Sequence, residues 1–214
     1  ATSSLSGGSY GAISYTSSAT SIATVNATTG VITPVAVGTT TITATQAVAA
    51  GFNDTGSQTY VLTVGQASQT ITFGTLANKT YGAASFTVAA TASSSLTPSY
   101  SIVSGPASLS GSTVTLTGAG TVVVRTSQAG DGNFTAATPV DQSFTVAKAT
   151  LTVTADAKSR VYGAANPTLT ATITGYVNNE TSTVISGAAA VTTATTTTSN
   201  VGGYTITAAA GTLS

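Results

Sequence analysis

The side chains in this sequence that could carry out acid–base or metal chemistry are few. The chain of 214 residues has five acidic and five basic residues, and it has no histidine and no cysteine. Imidazole catalysis, thiolate nucleophiles, Cys/His zinc sites and disulfides are therefore excluded. A glycosidase-like pair or a calcium cage would need at least two carboxylates close together. The carboxylates are Asp54, Asp131, Asp141, Asp156 and Glu180.

Two of these carboxylates fall at equivalent loop positions. Asn53-Asp54 and Asp131-Gly132-Asn133 could each contribute to a calcium-binding loop. We favour a polar turn, because Asp and Asn side chains accept hydrogen bonds from the backbone that follows them. A Lys to Asn or Asp isopeptide cross-link would need a buried Lys beside a carboxylate, and no motif of that kind surrounds Glu180. The sequence predicts no catalytic residue, no cofactor and no metal site.

Tyr81 and Tyr162 are each followed by glycine and could stack on a sugar ring. Aromatic residues make up 6% of the chain, and no cluster large enough for a carbohydrate platform can be identified. We therefore predict a structural role, in which the ring closes the edge of the core and the hydroxyl is satisfied at a turn.

Charged residues make up only 5% of the chain, against roughly a quarter in ordinary globular proteins. Nucleic-acid binding needs a field of Lys and Arg that displaces counterions from phosphates. The basic residues are too few and too scattered for this; they are Lys79, Arg125, Lys148, Lys158 and Arg160. No stretch reaches the 18 or so consecutive apolar residues of a membrane span. Nucleic acid is therefore excluded as a partner, and no membrane span is predicted in this segment.

The elements that would position these side chains are predicted to be strands. Thr and Val are frequent, and both are β-branched residues that fit a pleated surface better than a helix. Several runs alternate apolar and polar residues with a period of two, which indicates a strand with one buried face. The runs are residues 39–45, 59–64, 114–117, 121–126, 151–154 and 169–174.

The sequence repeats itself at a spacing of about 82 residues. Residues 38–47 match residues 120–129, and Lys79-Thr80-Tyr81-Gly82-Ala83-Ala84 matches Arg160-Val161-Tyr162-Gly163-Ala164-Ala165 at a spacing of about 81. Repeats of about 80 residues with strands at 8 to 12 residue spacing indicate a two-sheet sandwich.

The repeat predicts three domains. Residues 1–67 form a sandwich without its N-terminal strands, residues 68–147 a complete sandwich, and residues 148–214 a sandwich without its C-terminal strand or strands. The missing strands would belong to a longer chain, with donation by neighbouring copies as the alternative. Short junctions at 65–69 and 147–149 predict a semi-rigid rod.

Two segments carry a family resemblance. Residues 17–44, with Gly30 closing a turn and Gly38 starting the next strand, closely resemble the bacterial immunoglobulin-like domains of intimin and invasin type surface proteins. Residues 148–214 resemble the MBG repeats of very large bacterial adhesins; the motifs are Val161-Tyr162-Gly163 and Asn200-Val201-Gly202-Gly203-Tyr204-Thr205-Ile206. The middle repeat is similar to the immunoglobulin-like repeats that accompany them. The fold class expected is all-β, with tandem immunoglobulin-like β-sandwich domains of which the first and last are incomplete.

The resemblance implies a stalk or spacer of a giant secreted adhesin or filament on the bacterial cell surface, which projects a distal binding domain and is not an enzyme. Its partners would be neighbouring repeats of the same long chain, with other surface or filament proteins as a second class. The alternative is a ligand-binding module whose loops recognise a glycan or a host protein.

We predict that residues 68–147 fold alone, because the opening strand at 70–73 and the closing strand at 142–146 are both present. The isolated repeat should unfold in one cooperative transition with an all-β circular dichroism spectrum. A disordered spectrum would show that these boundaries are wrong.

Overall fold

The structure is a computed structural model that describes residues 11–48 and 56–214. The regular secondary structure of the described residues consists of strands, apart from one turn of 3-10 helix at Ser182–Val184. The chain divides into two compact units. The first comprises residues up to 73 together with Ala90–Ser99 and Thr126–Val140, and the second comprises Gly74–Ala89, Tyr100–Arg125 and Asp141–Ser214.

The strands of the first unit form one three-stranded sheet, in the order β1-β4-β5, and two antiparallel pairs, β2-β3 and β6-β9. Their bounds are β1 Ile13–Ser17, β2 Ala23–Val25, β3 Ile32–Pro34, β4 Gly38–Gln46, β5 Ser57–Val64, β6 Ile71–Phe73 and β9 Ala90–Ala92. Along β4, Thr40 and Ile42 are buried while Thr39 and Thr45 are exposed. The alternation predicted for 39–45 is therefore confirmed.

The second unit contains a four-stranded sheet in the order β10-β13-β14-β7, a three-stranded sheet in the order β11-β12-β8, and two pairs, β15-β16 and β17-β18. The first seven of these strands are β7 Lys79–Thr80, β8 Phe86–Thr87, β10 Ser99–Ser104, β11 Ala107–Ser110, β12 Thr113–Leu116, β13 Gly120–Ser127 and β14 Val140–Ala147. The remaining four are β15 Thr152–Ala155, β16 Ala171–Thr174, β17 Ala190–Thr193 and β18 Ile206–Ala209. Strands β10 and β14 each begin with one residue of the first unit, and β13 ends in that unit.

The core of the second unit follows from the alternation along its strands. Val122 and Val124 of β13 and Phe144 and Val146 of β14 are buried. The ring of Phe144 meets Phe86 edge to face, with ring centroids 5.6 Å apart, which adds directional attraction to the burial of the two rings. These buried side chains are β-branched or aromatic, and the contact of Phe144 with Phe86 joins the four-stranded sheet to the three-stranded sheet.

The all-β, immunoglobulin-like sandwich class predicted from the sequence is confirmed, and each of the alternating runs overlaps a strand. Three runs match their strands only in part. The run at 114–117 extends one residue beyond β12, which ends at Leu116. The strand expected at 151–154 covers Thr152–Ala155, and the strand expected at 169–174 begins only at Ala171. The division into domains at 67/68 and 147/148 stays a prediction.

The segment from 148 to 214 has a thin core. Every one of these residues is described, and none of them is fully buried. Its strands therefore gain less from burial than β13 and β14 do, and cross-strand pairing and side-chain hydrogen bonds carry more of its stability.

The buried face of β13 contains one polar mismatch. Thr126 is fully buried, and its Oγ1 has no hydrogen-bond partner among the described residues. An unsatisfied buried hydroxyl lowers the free energy of unfolding by about 1–3 kcal/mol through its desolvation, and a methyl group in the same place has no such desolvation penalty.

We predict that Thr126→Val raises the free energy of unfolding by about 1 kcal/mol. The matched control is Val124→Thr, which introduces a hydroxyl at a fully buried neighbour on the same face and should lower stability by a similar amount. Urea unfolding followed by circular dichroism measures both. A loss of stability in Thr126→Val would show that the hydroxyl is satisfied.

Candidate functional site

Each of the four described carboxylates has its own hydrogen-bond partners, and Asp54 lies outside the described residues. The Asp131 Oδ1 accepts hydrogen bonds from the backbone N–H groups of Asn133 (2.8 Å) and Phe134 (2.9 Å). This is the polar turn predicted from the sequence. Within the described ranges, no group of three or more acidic, His or Cys side chains could hold a metal ion.

Asp141 on β14 forms a bidentate ion pair with Arg125 on β13. The Arg125 Nε lies 2.8 Å from Oδ1 and Nη2 lies 2.9 Å from Oδ2. The hydrogen bond from the guanidinium lowers the pKa of Asp141, and the carboxylate in turn raises the pKa of Arg125. Because both side chains are exposed to solvent, the pair fixes cross-strand geometry and contributes little stability.

Asp156 lies just after β15 and accepts hydrogen bonds from two hydroxyl groups. Thr172 belongs to the paired strand β16, and Thr170 immediately precedes that strand. Thr170 Oγ1 donates to Oδ2, and Thr172 Oγ1 donates to Oδ1 over 2.7 Å. These hydrogen bonds lower the pKa of Asp156, the one from Thr170 most strongly, and the positive charge of Lys158 lowers it further. The carboxylate thus ties the β15-β16 pair together.

A joint within the first unit connects the segment after β5 with the loop after β13; we call it the first joint. Ala67 forms an isolated parallel β-bridge with Phe134, and the Ala67 N–H donates to the carbonyl of Asn133 over 2.8 Å. The Thr135 N–H donates back to the carbonyl of Ala67 over 2.9 Å. The Gln66 Nε2 adds a 2.7 Å bond to the carbonyl of Asp131. Backbone groups of residues 131–135 therefore hold Gln66 and Ala67 in place by hydrogen bonds.

A second joint lies within the second unit, between the turn after β7 and the loop after β16. The Tyr81 hydroxyl donates to Glu180 Oε1 over 2.9 Å. A Cβ on Gly82 would lie 2.6 Å from the Cβ of Val177, so the loop packs directly on the glycine backbone. Gly82 has φ +92°, a conformation that glycine adopts without strain. The two joints connect segments that the sequence assigns to adjacent repeats.

Tyr162 shows where the sequence prediction is wrong. Its ring is 66% exposed, so it does not close the edge of a core. The prediction treated the two Tyr-Gly pairs alike, but the partner of Tyr81 comes from another repeat, 99 positions along the chain. No local signal in the sequence indicates that contact.

A cleft of about 510 Å³ within residues 158–206 is lined by Tyr162, Tyr204, Leu169 and Ile206 among others. Arg160 also lines the cleft. It donates hydrogen bonds to Asn166 Oδ1 over 2.8 Å and to the carbonyls of Ala164 and Thr196. The sequence shows no aromatic cluster, because Tyr162 and Tyr204 are far apart in the chain, but both line this cleft.

Comparison with known proteins identifies the class of the last segment. Residues 151–214 match the family model of the MBG domain, YGX type. The MBG resemblance is thereby confirmed over these residues. No curated protein matches the sequence.

Three solved structures are similar to the chain at low identity. The EC22-24 segment of mouse cadherin-23 is 15% identical with a TM-score of 0.32, over 64% of this chain and 53% of that one. Domains 1-6 of the surface layer protein SbsC are 15% identical with a TM-score of 0.28, over 91% and 28%. The S-layer protein rSbsC(31-844) is 14% identical with a TM-score of 0.28, over 91% and 28%. The chain thus spans about half of the cadherin segment and 28% of each surface layer protein.

The described part of the chain contains no helix long and apolar enough to cross a membrane.

We predict that the β15-β16 pair loosens in acid. A carboxylate whose pKa is lowered on folding stabilises the fold above its ordinary pKa, and this contribution is lost as the pH falls through the lowered value. The protection of the backbone amides in β15 and β16, measured as exchange relative to the intrinsic rate at the same pH, should therefore decrease as the pH falls below 3.8, the ordinary value for Asp156. Asp156→Asn should flatten this pH dependence, and the same steep dependence in the variant would contradict the assignment.

Proposed function

We propose that this chain is a spacer segment of a bacterial cell-surface adhesin or filament, located outside the cell and without catalytic activity of its own. The observation that carries the proposal is the pair of joints. In each, a turn or loop of one predicted repeat hydrogen-bonds directly to the adjacent repeat or its linker. Direct bonding of this kind restricts bending between neighbours, which is what a spacer requires.

The chemistry of the described residues supports the same proposal. Their carboxylates are engaged in a turn, an ion pair, a cross-strand contact and a joint. Each of these roles is structural, and each uses a carboxylate that an acid–base mechanism would need free. The MBG match over 151–214 supports a repeat module of a surface protein.

A ligand-binding module is the second candidate, and the cleft between Tyr162 and Tyr204 is the observation that favours it. Exposed aromatic rings beside polar groups are typical of surfaces that bind sugars. A glycan array and a pull-down with the whole chain distinguish the two candidates. A passive spacer shows no selective binding, whereas selective binding at micromolar concentration that is lost in Tyr162→Ala would establish the second candidate.

The second joint gives a quantitative test. Tyr81→Phe and Glu180→Gln should each destabilise the second unit, and the double variant should lose less than the sum of the two. We expect a coupling energy of about 1 kcal/mol, since the bond joins a hydroxyl to a partly exposed carboxylate. Urea unfolding followed by tyrosine fluorescence measures the cycle.

The matched control is Tyr204→Phe. Its hydroxyl donates to the carbonyl of Asn200 within the same predicted repeat, so this variant should show no coupling to Glu180→Gln. Equal coupling for Tyr204 and Tyr81 would mean that the joint is not a specific contact.

A further inference from the structure

The Tyr-Gly turn after β7 occurs a second time with the same backbone. Ala83 N–H donates to the carbonyl of Thr80 over 3.0 Å, and Ala164 N–H donates to the carbonyl of Val161 over 3.2 Å. The central glycines have φ +92° at Gly82 and +84° at Gly163. The turn at 161–164 is therefore already in the conformation that forms the second joint.

The two turns differ in what they contact. A Cβ on Gly82 would collide with Val177, whereas a Cβ on Gly163 would meet no described atom within 4 Å. Tyr81 is partly buried with its hydroxyl on Glu180, and Tyr162 is 66% exposed beside Val161, which is 76% exposed. Two large apolar side chains and a bare glycine backbone thus face solvent at one turn.

The loop that contacts Gly82 has a defined chemistry. Val177 supplies the apolar contact and Glu180 the acceptor, and the Glu180 N–H donates to the carbonyl of Val177 over 2.9 Å. Asn178 and Asn179 between them are left-handed, with φ 52° and 61°, a conformation that asparagine tolerates better than most residues. This tight turn presents the valine and the carboxylate together.

We propose that the turn at 161–164 is a docking surface for the corresponding loop of another MBG-type repeat, one that carries a valine and, three residues later, a glutamate. The proposal rests on the spacer function, because it makes the second joint a recurring connection between successive repeats. The valine packs on Gly163, and the carboxylate accepts a hydrogen bond from the Tyr162 hydroxyl. The occupant is inferred from the loop that makes the same contacts with Tyr81 and Gly82 in this chain.

The experiment fuses a second copy of residues 132–214 after Ser214. The appended MBG repeat then follows residues 148–214 through the same strand and linker that precede residue 148 in the chain. Amide exchange at Ala164 should slow about tenfold in the extended chain relative to the original chain, because docking protects the turn. Glu180→Ala in the appended copy removes the acceptor and should reverse most of this protection, while the same substitution in the original copy should accelerate exchange at Ala83 instead.

Glycine substitutions provide a second measurement. In the original chain, Gly163→Ala should cause only the backbone strain of an alanine at positive φ. In the extended chain the new Cβ should also collide with the valine of the appended copy. Docking would then be lost, and exchange at Ala164 should become fast again. If exchange at Ala164 is unchanged by the extension while Ala83 still responds to Glu180→Ala, the docking proposal is overturned and the second joint stands. If Ala83 fails to respond as well, the joint on which the spacer function rests is also contradicted.

Discussion

Tight contact between a glycine backbone and a loop of the adjacent repeat is the constraint on which the second joint depends. A side chain at Gly82 would occupy the space of Val177, so the loop reaches the turn only because the residue has no Cβ. This approach brings Glu180 within 2.9 Å of the Tyr81 hydroxyl. The apolar contact and the hydrogen bond therefore depend on each other, and a change that disturbs one should weaken both.

The joints matter because the chain has few other means of fixing its repeats. It has no cysteine for a disulfide, and charged residues are too sparse for ion-pair networks. The first joint uses backbone hydrogen bonds of Ala67, which make no demand on side-chain identity at that position. The second uses one tyrosine and one glutamate. The residues differ between the two joints, but each joint connects segments of adjacent predicted repeats by direct hydrogen bonds.

Local features were readable from the sequence because their causes are local. The alternation along β4 and β13 follows from which side chains face the core, and the Asp131 turn follows from a carboxylate that bonds to the backbone just after it. The contact of Tyr81 with Glu180 and the bond of Arg160 to Thr196 join residues far apart in the sequence. Neither pair leaves a pattern in spacing or composition. The prediction that Tyr162 closes the edge of a core is wrong for the same reason, since the identical Tyr-Gly motif has different surroundings at Tyr81 and Tyr162.

If the second joint holds two adjacent predicted repeats in one arrangement, the distance between β14 and β18 should be fixed. Because the chain has no cysteine, two introduced spin labels can measure this distance. Exposed positions Ser143 and Thr207, changed to cysteine and labelled, report it by pulsed electron paramagnetic resonance. We expect one narrow distance distribution that broadens when Tyr81→Phe and Glu180→Gln are combined. A distribution that is equally broad with and without these substitutions would contradict it.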